Sequence, residues 1–261
     1  MNLSEMLVNH TYLFMLVLLR YIGMFILTPF FSSDLILTRV KLGLSLLLTV
    51  TTFPLLRNIY TVEFPVHLLQ VVGDGIRELA IGILLGFVLL LVFAAFQLAG
   101  KLIDLRMGFR IANELDPLTG ESAPIMGQLK NVLATLLFLV INGHLLVVRG
   151  LFNSFSLIPP AEAVLTGASL WQFVVRRSAD LFIVGFQIAL PVVGTIFMID
   201  VLLGFLARSV PQMNIFIVGL PFKILVGFVV LFLSLSVLVH FYEGLFDQFF
   251  QDMLRLFNLL R

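Results

Sequence analysis

Arg208-Ser209-Val210-Pro211-Gln212-Met213-Asn214 is a short polar turn between two of the most apolar stretches of the chain, residues about 181–206 and about 215–242. So short a connection brings the second stretch back alongside the first, and predicts an antiparallel helical hairpin. Each arm exceeds the roughly 20 residues that cross a hydrocarbon core of about 30 Å. Each also carries an internal proline, Pro191 in one and Pro221 in the other, which argues against simple straight spans.

Four more apolar runs precede the hairpin. The first covers about 13–31 and ends at Thr28-Pro29, and the second covers about 40–56 between Arg39, Lys41 and Arg57-Asn58. The third begins amphipathically near Val66, carries Arg77-Glu78, and is almost wholly apolar over 79–98, with Gly82 and Gly86 at the GxxxG spacing that lets helices pack closely. The fourth, about 129–148, precedes an interfacial stretch over 149–180 with Pro159-Pro160 and the only tryptophan, Trp171. That stretch separates two halves, yet no Ser/Gly-rich, Pro-rich or charged linker divides the 261 residues into domains. With 60% hydrophobic and 12% charged residues and a mean hydropathy of +1.11, the reading is an all-α membrane protein of about six long apolar helices in a single domain.

Several function classes fall away on composition. Sixteen basic and 15 acidic residues, spread singly for a net charge of +1, make no stripe for phosphate, so nucleic acid is not expected as a partner. The absence of cysteine removes disulfides, thiol catalysis and thiolate metal sites. The N-terminal MNLSEMLVNHTYLFM has an acidic rather than a basic n-region, and no cleaved signal is expected. Loop cations do not orient the chain: Arg39, Lys41, Lys101, Arg106, Arg110, Lys130 and Arg208 on one side balance Arg57, Arg149, Arg176, Arg177, Arg255 and Arg261 on the other.

Ionisable side chains at membrane depth are the default functional candidates, because an unpaired charge there is costly. Here they are Arg20, Arg77, Glu78, Asp200, Lys223 and His240. Asp200 with Lys223 or His240 across the hairpin would suit the relay of a proton-coupled transporter. The structural alternative pairs Asp200 with a neighbouring cation and leaves Arg77 and Glu78 at a solvated helix start. A transporter would also call for an internal repeat of discontinuous helices, and the halves show none. His144 has no second ligand at helical spacing, which points to a hydrogen-bonded structural histidine. With no GxSxG, P-loop, HExxH or GxGxxG element, no catalytic, cofactor-binding or metal residue is assigned and no cofactor is expected.

Residues 100–128 are neither span nor ordinary loop. Leu102, Leu105, Met107, Phe109 and Ile111 alternate with charges, while Gly108, Asp116-Pro117 and Gly120 supply turn geometry, so the segment suits folding back into a cavity; lying on the membrane surface is the plainer option. Phenylalanine numbers 27 against four tyrosines and one tryptophan, rich in apolar rings but poor in those that mark headgroup belts. Much of the apolar surface is therefore expected to meet protein as well as lipid.

Continued to Ile224, the turn becomes Arg208-Ser209-Val210-Pro211-Gln212-Met213-Asn214-Ile215-Phe216-Ile217-Val218-Gly219-Leu220-Pro221-Phe222-Lys223-Ile224, which closely resembles the signature hairpin turn of the FliR family of flagellar type III export proteins. Arg20 with Thr28-Pro29-Phe30, the segment from Ala99-Gly100 to Asp116-Pro117, and Ile141-Asn142-Gly143-His144 agree in order and spacing, so the resemblance covers nearly the whole chain. It implies a membrane subunit of the export gate in the bacterial inner membrane and flagellar basal body. One copy would assemble there with FliP, FliQ and FlhB-like subunits to conduct unfolded flagellar proteins. The resemblance also makes residues 1–177 FliP-like helices with a plug-like loop at about 101–128, and 178–261 a FliQ-like hairpin and tail. It further implies Met107, Gly108, Phe109, Ile111, Asn113, Asp116 and Pro117 as a pore plug. Arg208, Pro211, Gln212, Asn214, Pro221 and Lys223 would serve the hairpin turn and assembly. Gly219-Leu220-Pro221-Phe222-Lys223-Ile224 favours the flagellar branch over the paralogous injectisome subunit.

Overall fold

A computed structural model of the chain describes residues 3–29, 37–109, 125–163, 167–210 and 214–260. Among these, seven α-helices and no strand occur: α1 (Leu3–Leu27), α2 (Thr38–Leu56), α3 (Leu68–Met107), α4 (Ile125–Val140), α5 (Gly143–Leu157), α6 (Ala168–Ser209) and α7 (Ile215–Leu260). Five stretches are long and apolar enough to cross a membrane: Ser4–Leu27, Thr38–Leu56, Leu68–Met107, Ala168–Ser209 and Ile217–Leu235. The pair Gly127–Val140 and Gly143–Leu157, bent by 66°, makes a sixth if counted as one span. The chain is an all-α membrane protein, as its composition requires.

Three features differ from the sequence reading. The run expected to be one helix over 129–148 is broken, because Asn142 takes a left-handed backbone (φ 56°, ψ 30°) that asparagine tolerates better than most residues. The prolines expected to interrupt the hairpin arms do not, and α6 and α7 run on through Pro191 and Pro221. The last helix continues well past Tyr242, because Leu245, Phe246, Phe249, Met253, Leu256, Phe257 and Leu260 recur at helical spacing and are all buried. At 40, 42 and 46 residues, α3, α6 and α7 reach about 60 Å or more, twice a hydrocarbon core of about 30 Å.

The helices sort into two compact units. The first holds residues 1–91, 142–177 and 247–261. In it α2 returns against α1, with Phe53 edge-on to Phe14 and His10 at 5.5 and 6.2 Å. Contacts between α1 and α3 rise together in number, Tyr12 with Asp74, Arg20 with Glu78 and Met24 with Gly86, so these two helices lie parallel. A Cβ on Gly23 or Gly82 would collide with the backbone of Leu79 or Arg20, and one on Gly86 would stand 2.7 Å from the Met24 carbonyl. These glycines are what let the two backbones touch.

Beside that seam lies Arg20, a fully buried cation. Its Nε donates to Glu78 Oε2 at 2.6 Å, Nη1 to Ser154 Oγ at 3.1 Å, and both Nη atoms to the Ile158 carbonyl at 3.1 Å. The guanidinium also lies 4.3 Å from the centre of the Phe155 ring. Glu78, likewise buried, accepts the Ala161 N–H through Oε1 at 3.0 Å. Ala161 has φ 70°, a strained value for an alanine, held in place where the chain turns after Pro159-Pro160. Glu78 is therefore not at a solvated helix start, whereas its neighbour Arg77 is half exposed and pairs with Asp74 at 3.1 Å.

Removing one partner of such a pair leaves the other as an uncompensated buried charge, at a cost of about 3–5 kcal/mol. Glu78→Ala should lower the resistance of the chain, co-purified with its partners in detergent, to denaturant by that margin, and the double change Arg20→Met with Glu78→Met should recover much of it. Equal losses for the single and double variants would show that the ion pair is not the element being lost.

Candidate functional site

The second unit holds residues 92–141 and 178–246, and contains the described part of the segment singled out over 100–128. α3 delivers that segment and α4 receives it. Asp104, buried in the last turn of α3, accepts the Gly127 N–H at 3.2 Å. A carboxylate from a different helix thereby caps the first turn of α4, where unpaired N–H groups and the helix dipole favour negative charge. The two ends of the connector are brought together by that bond. Gln97 adds a weaker tie to Asn131 at 3.5 Å.

Past Asp104 the helix runs to Met107, and the Gly108 N–H still bonds the Asp104 carbonyl at 3.2 Å; the side chains that follow are seated by packing. Met107 is completely buried and lies against Gly227 of α7. A Cβ at position 227 would stand 2.6 Å from Met107 Cε, 2.9 Å from Sδ and 3.1 Å from Cγ. Gly108 follows with φ 85°, a backbone that only glycine adopts without strain. The Phe109 ring then meets Phe228 edge-on, with centroids 6.2 Å apart and an interplanar angle of 79°. Residues 107 and 109 thus rest on adjacent positions of α7.

Beside this contact a cavity of about 490 Å³ is lined by Leu105, Arg106, Gly108, Asp200, Leu203 and Lys223, among others. Lys223 and Asp200 form an ion pair across the α6–α7 hairpin, each side chain partly exposed. The structure therefore joins two of the membrane-depth ions read from sequence, and the Asp200 partner is the neighbouring cation of the structural alternative. Deeper in the unit, Tyr242 donates to the Ala134 carbonyl at 2.6 Å and packs tilted against Phe96, with ring centroids 4.2 Å apart. Phe138 lies between Phe93 and Phe246 at 5.6 and 5.3 Å. These rings tie α3, α4 and α7 together, and Gly185 brings α6 against Ala95 and Leu98.

Of the candidate plug residues, Met107, Gly108 and Phe109 meet on α7, whereas Ile111, Asn113, Asp116 and Pro117 lie outside the described residues. Of the hairpin set, Arg208 stands in the last turn of α6. The Asn214 carbonyl accepts the Ile217 N–H at 3.1 Å as α7 begins, and Pro221 and Lys223 lie within α7. Pro211 and Gln212 are outside the described residues, as is Phe30. Gly82 and Gly86 face α1 in the other unit. His144 is half-buried, and its Nδ1 has no partner among the described residues. Sequence reasoning missed Asp104 and Gly227, whose partners lie far away in sequence. Ser154 and Ala161 gave no signal of their own. Among the described residues no three His, Asp or Glu side chains converge.

Residues 11–249 match the family model described as bacterial export proteins, family 1. The chain is similar to flagellar biosynthetic protein FliR of Bacillus subtilis, 33% identical over 249 residues, with 95% of both chains covered. It is also similar to the protein of that name from Pectobacterium carotovorum, 35% identical with 88% of this chain and 87% of that one covered. The corresponding Escherichia coli protein is 30% identical, with 89% of this chain and 88% of that one covered.

Asp104→Ala removes the cap on α4 and should cost about 0.5–2 kcal/mol of local stability. Hydrogen exchange reads this as faster exchange at Gly127 and its neighbours. Asp104→Asn, which keeps an acceptor oxygen, should exchange more slowly than the alanine variant; identical exchange in both would remove the capping role.

Proposed function

The chain belongs to family 1 of the bacterial export proteins, and from that membership we propose that it is the membrane subunit of the flagellar type III protein export gate. The observation that carries this is the match over residues 11–249, joined by relatives named flagellar biosynthetic protein FliR that align over most of the chain. The protein is a multi-pass component of the bacterial inner membrane and of the flagellar apparatus. In our reading it acts as a conduit, with no catalytic residue or cofactor, and assembles with FliP, FliQ and FlhB-like subunits to pass unfolded flagellar proteins.

The exposed surface supports an assembled state. Along α6, Phe182, Phe186, Met198, Leu202 and Phe205 are exposed, and along α7 so are Ile217, Leu225, Phe232, Leu233 and Val237. A surface of this kind needs lipid or other subunits to cover it. We read residues 1–177 as the FliP-like part and 178–261 as the FliQ-like hairpin and tail, a reading supported by the antiparallel pairing of Asp200 with Lys223.

Within that assembly the segment from Met107 to Pro117 serves as the plug of the closed pore, with Met107, Phe109 and Ile111 supplying apolar packing. A dewetted apolar constriction stops ions yet yields to a polypeptide forced through it. The anchoring of Met107 and Phe109 on α7 supports this role, because a plug must be held at its root to return after each passage.

Co-purified with its partners and placed in a planar bilayer, the intact complex should be closed to ions, and deletion of residues 107–114 should make it conduct. An assembled deletion complex as tight as the intact one would reject the plug. Expressed alone, the chain should not purify as a well-behaved monomer.

A further inference from the structure

We propose that Gly227 is the seat in which Met107 docks, and that occupation of this seat holds residues 107–109 in the resting position; this rests on the reading of that segment as part of the pore seal. Gly219, Lys223 and Gly227 follow one another at intervals of four along α7 and so share one face. That face meets the end of α3: Gly219 and Lys223 line the cavity together with Leu105, Arg106 and Gly108, and Gly227 receives Met107. A side chain of any size at 227 would occupy the space of the Met107 thioether.

The device is suited to reversible release. The Met107 side chain is seated on Gly227 by close packing, with no side-chain hydrogen bond to break, and its unbranched chain can withdraw by rotation about its own bonds. Gly108, at φ 85°, supplies a pivot directly after it. Asp104 remains bonded to Gly127, so movement is confined to the residues that follow it. Lys223, one turn from Gly227, stays paired with Asp200 and keeps α7 on α6 while the seat empties.

The chain contains no cysteine, so paired substitutions introduce its only thiols. Met107→Cys shortens the side chain that Gly227→Cys would otherwise strike. Met107 Cγ, where the new sulfur would lie, is 3.1 Å from the Cβ position at 227, close to the separation of about 3 Å between a disulfide sulfur and the opposite Cβ. In cells whose export depends on the full-length chain, oxidation of this double variant should form the disulfide and stop secretion of flagellar proteins, and reductant should restore it. Each single variant should ignore the oxidant. Failure of the disulfide to form in a variant that still secretes, or its formation with secretion unchanged, overturns the seat.

Should the double variant not accumulate, Gly227→Leu, whose side chain would take the space of the Met107 thioether, should make the assembled complex conduct ions, and an assembled Gly227→Leu complex as tight as the intact one overturns the seat. Failure of the seal reading is distinguishable. Tightness to ions after deletion of 107–114 rejects the seal whatever the cross-link does, whereas leakage after that deletion with an ineffective cross-link rejects the seat alone.

Discussion

The buried pair of Arg20 and Glu78 is the constraint on which the first unit depends. Two charges removed from water are tolerable only when every donor and acceptor is met. Here the requirement recruits Ser154, the Ile158 carbonyl, the Phe155 ring and the Ala161 N–H. Sliding α1 along α3 by one turn would strand both charges and also push Gly23, Gly82 and Gly86 out of the seam where the backbones touch. Register, parallel direction and the left-handed turn at Ala161 therefore follow from one polar knot. The glycine seam supplies the closeness that the knot needs.

The second unit is held differently. Its centre is a cluster of rings, Phe93, Phe96, Phe138, Tyr242 and Phe246, with one hydrogen bond from Tyr242, and its Lys223–Asp200 pair is partly exposed. In an apolar medium such contacts hold by dispersion and fit, with little hydrophobic drive behind them. The outermost of them, Met107 on Gly227 and Phe109 on Phe228, need no polar group to be desolvated or left unpaired when they part. The plug proposed for this segment, which would have to yield to passing chains and then return, is well placed on that kind of contact.

Much of this fold was legible in the sequence. Apolar run length located the spans, and loop length gave the hairpin that the Asp200–Lys223 pair joins. The misses have physical causes. The bend at Asn142 was hidden inside a run that hydropathy alone reads as one helix. The end of α7 was missed because its buried residues alternate with charged ones such as Asp247, Asp252 and Arg255, which lowers local hydropathy without breaking helical periodicity. Arg20 and Glu78 were visible as costly charges, but their pairing spans 58 residues, and no local pattern encodes it. Asp104 and Gly227 were unreadable for the same reason: one caps a helix beyond the connector, and the other matters only for what lies opposite it.

The chain, a member of family 1 of the bacterial export proteins, has one unit locked by polar contacts and one locked by packing, and the plug is proposed for the latter. The central claim is that flagellar proteins leave the cell through an assembly that requires this chain. The direct measurement is the amount of filament and hook protein in the culture medium of cells lacking the chain, with and without the intact chain supplied in trans. The account predicts that secretion disappears with the chain and returns with it while general protein secretion stays constant. Undiminished secretion of those proteins in its absence would contradict it.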